Sequence, residues 1–132
     1  MIKFETVSRF ENSEIDLIPT RKTEASAGYD MYVAEEIVVP SWAELFTKME
    51  TTHELTARSL EEMAKITKEL KCKPTLVSTG MKCHLEPGTF LQLSVRSSSP
   101  LKYWIMMANG VGIIDADYCN NPDNEGEIFF QL

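Results

Sequence analysis

Residues 109–118, NGVGIIDADY, set two carboxylates two positions apart, Asp115 and Asp117, directly after glycines and branched aliphatics. A strand crossing a core has no use for that much charge. Gly110 and Gly112 allow a flat ligand to approach the backbone, and the aliphatic side chains make a dry wall. There Asp115 is suited to act as a general base on water, with Asp117 a solvated loop acid. A hairpin bearing two surface acids explains the stretch equally well.

Three other stretches carry residue types that could do chemistry. SAGYDMYV, residues 26–33, puts Gly28 before an aromatic and Asp30 at a strand start; an ordinary turn has the same pattern. VRSSSPL, residues 95–101, stacks Arg96 with Ser97, Ser98 and Ser99. Hydroxyls and successive backbone N–H groups in a turn form an anion nest, and an arginine adds charge-assisted donors. A plain serine-rich loop remains the alternative. NNPDNEGE, residues 120–127, reads as a turn-rich loop rather than a site.

These stretches sit in 132 residues, about one domain's worth of chain, with 43% apolar and 25% charged residues. A net charge of −7 opposes docking on long nucleic acid through a broad basic face. A small anion with a bound cation is still accommodated, because local donors override net charge. No apolar run approaches the roughly 18 residues of a membrane span, and the N-terminal residues MIKFETVSRFENSEID lack a hydrophobic signal core. A cytoplasmic protein is expected. Cys72, Cys83 and Cys119 are odd in number and too widely spaced for a CxxC pair, so reduced thiols are expected. His53 and His84 form no ligand-spaced cluster with them.

The elements that must position the site fall into three zones. IKFETVS, AGYDMYVA and EIVVP are short β-prone runs broken by polar turns. Over 41–71 the period changes: Trp42, Leu45, Phe46, Met49, Leu60, Met63 and Leu70 recur by whole helical turns, within one residue. Ser41 with Glu44 resembles a capping box, and Pro40 closes the strand before it. The β-branched threonines of TTHELT predict a bend, or a break into two helices, near Thr51–His53. From Pro74 onward the β pattern returns: TLVSTGMKCHL reads as strand, Gly turn, strand, and TFLQLSVRS, ANGVGIID and EGEIFFQL complete the set. Short strands punctuated by Gly and Pro argue for a sandwich, jelly roll or barrel, with the helical zone inserted into it.

In this order, AGYDM (27–31), RSSS (96–99) and NGVGIIDADY with the later Gly126–Glu127 pair resemble the three leading motifs of one family. That family is the trimeric dUTP pyrophosphatases (dUTPases), in a form like those encoded by bacteriophages. The resemblance implies a mainly β, dUTPase-like jelly roll or distorted β-barrel, one domain over 1–132, with an α-helical insertion at about 41–73. It implies hydrolysis of dUTP to dUMP and pyrophosphate, which limits uracil in DNA and supplies dUMP for thymidylate synthesis. It further implies Mg²⁺ as cofactor and a homotrimer with sites between chains.

Residue by residue, the resemblance implies that Asp115 orients or deprotonates the water attacking the α-phosphate. Asn109 and the backbone around Gly112 would read the polar edge of uracil, and Tyr118 would pack against the deoxyribose. Ser97 and Ser98 would bind the phosphate chain, with Arg96 supporting the site and the subunit contact. Asp30 would help hold Mg²⁺ through water. Two other readings keep the same fold. One is a nucleotide-binding regulatory protein that holds a partner protein through the helical insertion. The other is a dCTP deaminase-like relative, whose chemistry needs a carboxylate beside the base amino group that the sequence does not supply.

The insertion at about 41–73 is a departure from the family pattern, and its default role is packing on its own fold. The family also continues with a fourth motif, resembling G-x-R-x-A-Q, and a Gly-rich fifth that closes over the nucleotide; neither occurs in these residues. From the sequence, Ile128, Phe129, Phe130 and Leu132 are expected to lack partners, leaving an edge prone to self-association. The 132 residues by themselves are expected to be at best a weak dUTPase.

Overall fold

Alternating apolar residues in the short runs become three antiparallel ladders. In chain order the elements are β1 (Lys3–Thr6), a 3-10 turn (Ser8–Phe10), α1 (Leu60–Glu69), β2 (Leu76–Ser78), β3 (Met81–His84), β4 (Phe90–Leu93), α2 (Ser98–Tyr103), β5 (Gly112–Asp115) and β6 (Phe129–Gln131). β1 pairs with β3, β2 with β6 and β4 with β5. This computed structural model describes residues 2–41, 43–44, 47, 60–69 and 73–132. They sort into two units, Met1–Ile37 with Leu76–Leu132, and Val38–Thr75.

In the first unit the strands close over two linked apolar clusters. Cys83, Leu93, Met107 and Ile128 form one, and Leu17, Ala34 and Met81 the other; Phe4 and Met31 pack against both. The strand-turn-strand expected at 75–85 is present, but it is not a hairpin. β2 turns away to β6 while β3 joins β1. The junction is stitched by Ile128, whose carbonyl accepts from the backbone N–H and the hydroxyl of Thr79, while its own N–H donates to Met81.

That stitching corrects the expectation for the last residues. Ile128 is fully buried, Phe129–Gln131 are paired with Leu76–Ser78, and Phe130 and Leu132 pack on the core. Apolar side chains in this stretch are bought up by non-local pairing that a sequence window does not display. The strands expected in AGYDMYVA and EIVVP reduce to one bridge, Thr20 with Asp30. Met31 and Ala34 of the first run reach the core, but Tyr32, Val33, Ile37 and Val38 are exposed, so the alternation serves a buried face only in part. Among the described residues the ladders do not close into a continuous barrel.

In the second unit the Ser41 hydroxyl accepts the Glu44 N–H at 3.2 Å, the N-cap bond of the expected capping box. α1 carries Glu61 and Glu62 in its first turn and Lys68 in its last, matching the helix dipole. The expected break near Thr51–His53, and Trp42, Leu45, Phe46, Met49 and Leu70, lie outside the described residues. Among the described residues no helix is long and apolar enough to cross a membrane.

Candidate functional site

Of the expected site residues, Asp30 and Arg96 line one hollow of the first unit and Asp115 another; the two share no lining residue, and Ser97, Ser98, Asn109, Gly112 and Tyr118 line neither. The first, about 520 Å³, is walled by aliphatic and aromatic side chains from β1, β4, β6 and the 27–33 segment. Asp30, Arg96 and Ser99 bring polarity to it. Asp30 is fixed through its backbone, which donates to the Thr20 carbonyl at 2.9 Å. Its carboxylate stands 3.8 Å from Nη1 of Arg96, a long ion pair with the arginine largely in solvent. Beside it Tyr29 meets Phe4 edge-on at 5.3 Å and carries the Arg21 guanidinium over its ring at 5.0 Å.

Arg96 begins the turn that leads from β4 into α2, and its carbonyl accepts the Ser99 N–H at 2.9 Å. Ser97 is the N-cap residue of α2, but its hydroxyl makes no capping bond, and Ser98 opens the helix. Sequence patterning had this stretch as an anion nest or a plain loop. The short helix was missed because Ser97–Pro100 has no helical periodicity, although proline is tolerated in a first turn.

The second hollow, about 620 Å³, lies between the Pro87–Gly88 turn and the end of β5, and is lined by Phe90, Asp115 and Asp117 among others. Asp115 is the last residue of β5, opposite Phe90. It is exposed, and its carboxylate has no hydrogen-bond or ion-pair partner among the described residues. Antiparallel pairing sets Leu93 against Gly112 at the other end of the ladder. Asp115 is thus three residue steps, about 10 Å, from the end of β4 that leads on to Arg96 and the serines.

Asn109 is exposed in the turn before β5, and its carbonyl accepts the Val111 N–H. Gly112 is buried, and the close approach it permits is made by Leu93 of the same chain, 3.2 Å from where a Cβ would stand. Gly110 faces open space instead. Tyr118 follows in the turn after Asp115, its N–H donating to the Asp115 carbonyl at 3.1 Å. Its hydroxyl donates to the Glu127 carbonyl at 3.2 Å and accepts from Asn124 at 2.8 Å. The phenol therefore braces the 118–127 loop and lines neither hollow.

That loop is held by residues the sequence did not single out. Gly126, at φ +78°, lies so close to the loop backbone that a Cβ would stand 2.5 Å from the Tyr118 carbonyl oxygen. The Glu127 carboxylate is buried, receives Nε and Nη2 of Arg9 at 3.0 and 2.8 Å, and accepts the Ser78 hydroxyl. This bidentate contact raises the Arg9 pKa further. Glu125 accepts the backbone N–H and hydroxyl of Ser8, which hold its carboxyl below the usual range. A contact between residues 117 positions apart leaves no local signal.

No protein-family model matches the chain. Two relatives bear the name deoxyuridine 5'-triphosphate nucleotidohydrolase. The one from Lactococcus lactis is 37% identical over 129 residues, covering 98% of this chain and 65% of the relative. The one from Debaryomyces hansenii is 29% identical over 109 residues, covering 83% of this chain and 48% of the relative. The chain thus spans between about half and just under two-thirds of these relatives. The crystal structure of dUTPase from Streptococcus mutans superposes with a TM-score of 0.65 at 32% identity, covering 97% of this chain and 75% of that one. The expected mainly β, dUTPase-like fold is borne out, and the chain belongs to the dUTPase family.

Proposed function

We propose that this chain hydrolyses dUTP to dUMP and pyrophosphate, with Mg²⁺, at sites assembled between the chains of a homotrimer. Two relatives are named for that hydrolysis, and the family membership supports carrying it over. The observation that carries the reading is the division of the site residues. Arg96 and the serines stand beyond one end of the β4–β5 ladder and the unpaired Asp115 at the other, about 10 Å of strand apart. A phosphate chain and its attacking water need both within contact distance, so a neighbouring chain supplies the missing half.

In this reading Asp115 takes a proton from water aimed at the α-phosphate, a task that suits a carboxylate free of other partners. Arg96, Ser97 and Ser98 offer donors to the phosphates. Asn109 and the backbone near Gly112 hydrogen-bond the uracil edge, and Tyr118 bounds the sugar. The donor set fits Mg²⁺: Asp30 is a hard oxygen ligand, acting through water, and no group of three potential metal ligands occurs among the described residues. Such an ion is completed by waters and substrate phosphates rather than a protein cage. When bound it offsets phosphate charge.

The test is pyrophosphate release from dUTP, with the products identified. Asp115→Asn should keep dUTP binding and lower turnover by about two orders of magnitude or more. Mixing inactive Asp115→Asn chains with inactive Arg96→Gln chains, after exchange, should restore roughly a quarter of the sites, since each needs one intact residue from each of two chains. No recovery despite verified exchange would refute the shared site. Ammonia released from dCTP in place of pyrophosphate from dUTP would refute the reaction.

A further inference from the structure

The loop after β5 engages every polar atom of Tyr118. Its N–H donates to Asp115, and its carbonyl accepts the Asn121 backbone N–H at 3.3 Å and the Asn121 amide at 3.2 Å. Its hydroxyl stands between Asn124 and the Glu127 carbonyl. The neighbours of Asn124 fix which amide atom points where. The Gly126 N–H, 3.0 Å away, can only donate, so the atom that meets it is Oδ1, which also accepts the Asn121 amide at 2.8 Å. The remaining Nδ2 is a donor, so the phenol oxygen accepts from it at 2.8 Å and sends its own proton to Glu127 at 3.2 Å.

The two halves of the Asn124 amide therefore have different tasks. Oδ1 closes the turn, whereas Nδ2 has the phenol as its partner among the described residues. The phenol is anchored beyond the loop as well. The Glu127 N–H donates to the Asn124 carbonyl at 3.0 Å, its carboxylate is clamped by Arg9 and Ser78, and Ile128 next to it is fully buried. Tyr118 is half-buried, so the tether leaves part of its surface open to a ligand. A wall that turns away a hydroxyl works only as far as it resists displacement. An apolar surface rejects a ligand bearing one extra hydroxyl weakly, because an untethered side chain moves aside. The Tyr118 ring cannot swing away without giving up both of its hydroxyl's bonds and leaving the Asn124 donor unpaired.

We propose that Asn124 is a positioning residue for sugar discrimination: by holding the Tyr118 phenol it stiffens the wall that excludes a ribose 2′-hydroxyl. The inference rests on the reading above in which Tyr118 bounds the deoxyribose. Asn124 touches no substrate in this scheme and acts through the phenol alone. Releasing the phenol lets the ring yield to the extra hydroxyl, so UTP gains affinity while dUTP, which never pressed on the wall, binds as before. Damage to the loop has the opposite signature, because it weakens both nucleotides together.

The experiment titrates the full chain, with Mg²⁺, with the cleavage-resistant α,β-imido forms of dUTP and UTP in a calorimeter. Tyr118→Phe removes the tether and leaves the Asn124 turn intact; Asn124→Ala removes both, and thermal melts verify the fold. In each, the preference for the deoxy form should fall about three- to tenfold through tighter UTP binding, with dUTP affinity within about twofold of the parent. The double variant Tyr118→Phe/Asn124→Ala should match Tyr118→Phe, since the amide has nothing left to hold. Tyr118→Ala separates the two levels of the argument. A parental preference in that variant would overturn the placement of the sugar, and this inference with it. A lowered preference there, with a parental one in Tyr118→Phe or Asn124→Ala, would overturn the inference alone. Equal weakening of both nucleotides, or additive effects in the double variant, would also overturn it.

Discussion

Replacing Arg9 by methionine keeps most of the side-chain bulk and removes the guanidinium from Glu127, whose side chain is 5% exposed. Two charge-assisted bonds to Glu127 are lost, each worth about 1.5–3 kcal/mol, for an upper bound near 6 kcal/mol, and with them go the 3.3 Å contact of Nη1 with exposed Glu35 and the seat of the guanidinium over the Phe10 ring. The Arg9 side chain is 47% exposed, so water replaces part of the contact. A destabilisation of about 2–3 kcal/mol is expected, because the carboxylate keeps only the Ser78 hydroxyl. For a chain of this length that is a fall in Tm of about 6–15 °C, measured by far-UV circular dichroism. Urea unfolding supplies the free energy, and the double variant Arg9→Met/Glu127→Leu supplies the coupling. It should lose about 1–3 kcal/mol less than the two single variants added together. A loss under about 0.5 kcal/mol for Arg9→Met, or strict additivity in the double variant, would refute the clamp.

Gly126→Ala should cost about 2–4 kcal/mol, seen as a lowered urea midpoint, because it combines a positive φ with collision against the loop backbone. Glu5 and Glu125 have pKa values lowered from 4.5 in the folded state, so their contribution is present above about pH 4.5 and lost as pH falls through the lowered values. Tm measured between about pH 3 and 6 should therefore fall less steeply on acidification in Glu5→Gln and Glu125→Gln than in the parent. On the proposed function, dUTP should bind more tightly than UTP by about 1–3 kcal/mol, and Tyr118→Ala should narrow that gap in calorimetry.

The strands were legible where period and punctuation agree. LVS, MKCH, FLQL and GIID each fall within the run that alternation and glycine marked. Their partners were not legible. β2 and β3 adjoin in sequence yet join different ladders, because the choice is made by burial of Ile128 and Met81 against distant residues. The same blindness left EIFFQL without a partner on paper. Residue types drew attention to Asp30, Arg96 and Asp115, but only the β4–β5 register sends Arg96 and Asp115 to opposite ends.

What divides the acids of this chain is pairing rather than position in the sequence. Glu127 is buried and answered by Arg9 and Ser78, Glu125 is held by Ser8, and Glu5 by His84 and Lys82. Each of these joins a loop or strand to a segment far away in the chain, which is a structural task. Asp115 has no such partner among the described residues, although it sits only ten to twelve positions before the two loop acids. A carboxylate committed to an arginine is a poor base, since its lone pairs are occupied and its proton affinity is lowered. The clamp at Glu125 and Glu127 fixes the loop that follows β5 without spending Asp115, whose lone pairs stay open to water. The carboxylates near the end of β5 thus separate into Glu125 and Glu127, which hold the loop, and Asp115 and Asp117, which line the hollow there with no partner among the described residues.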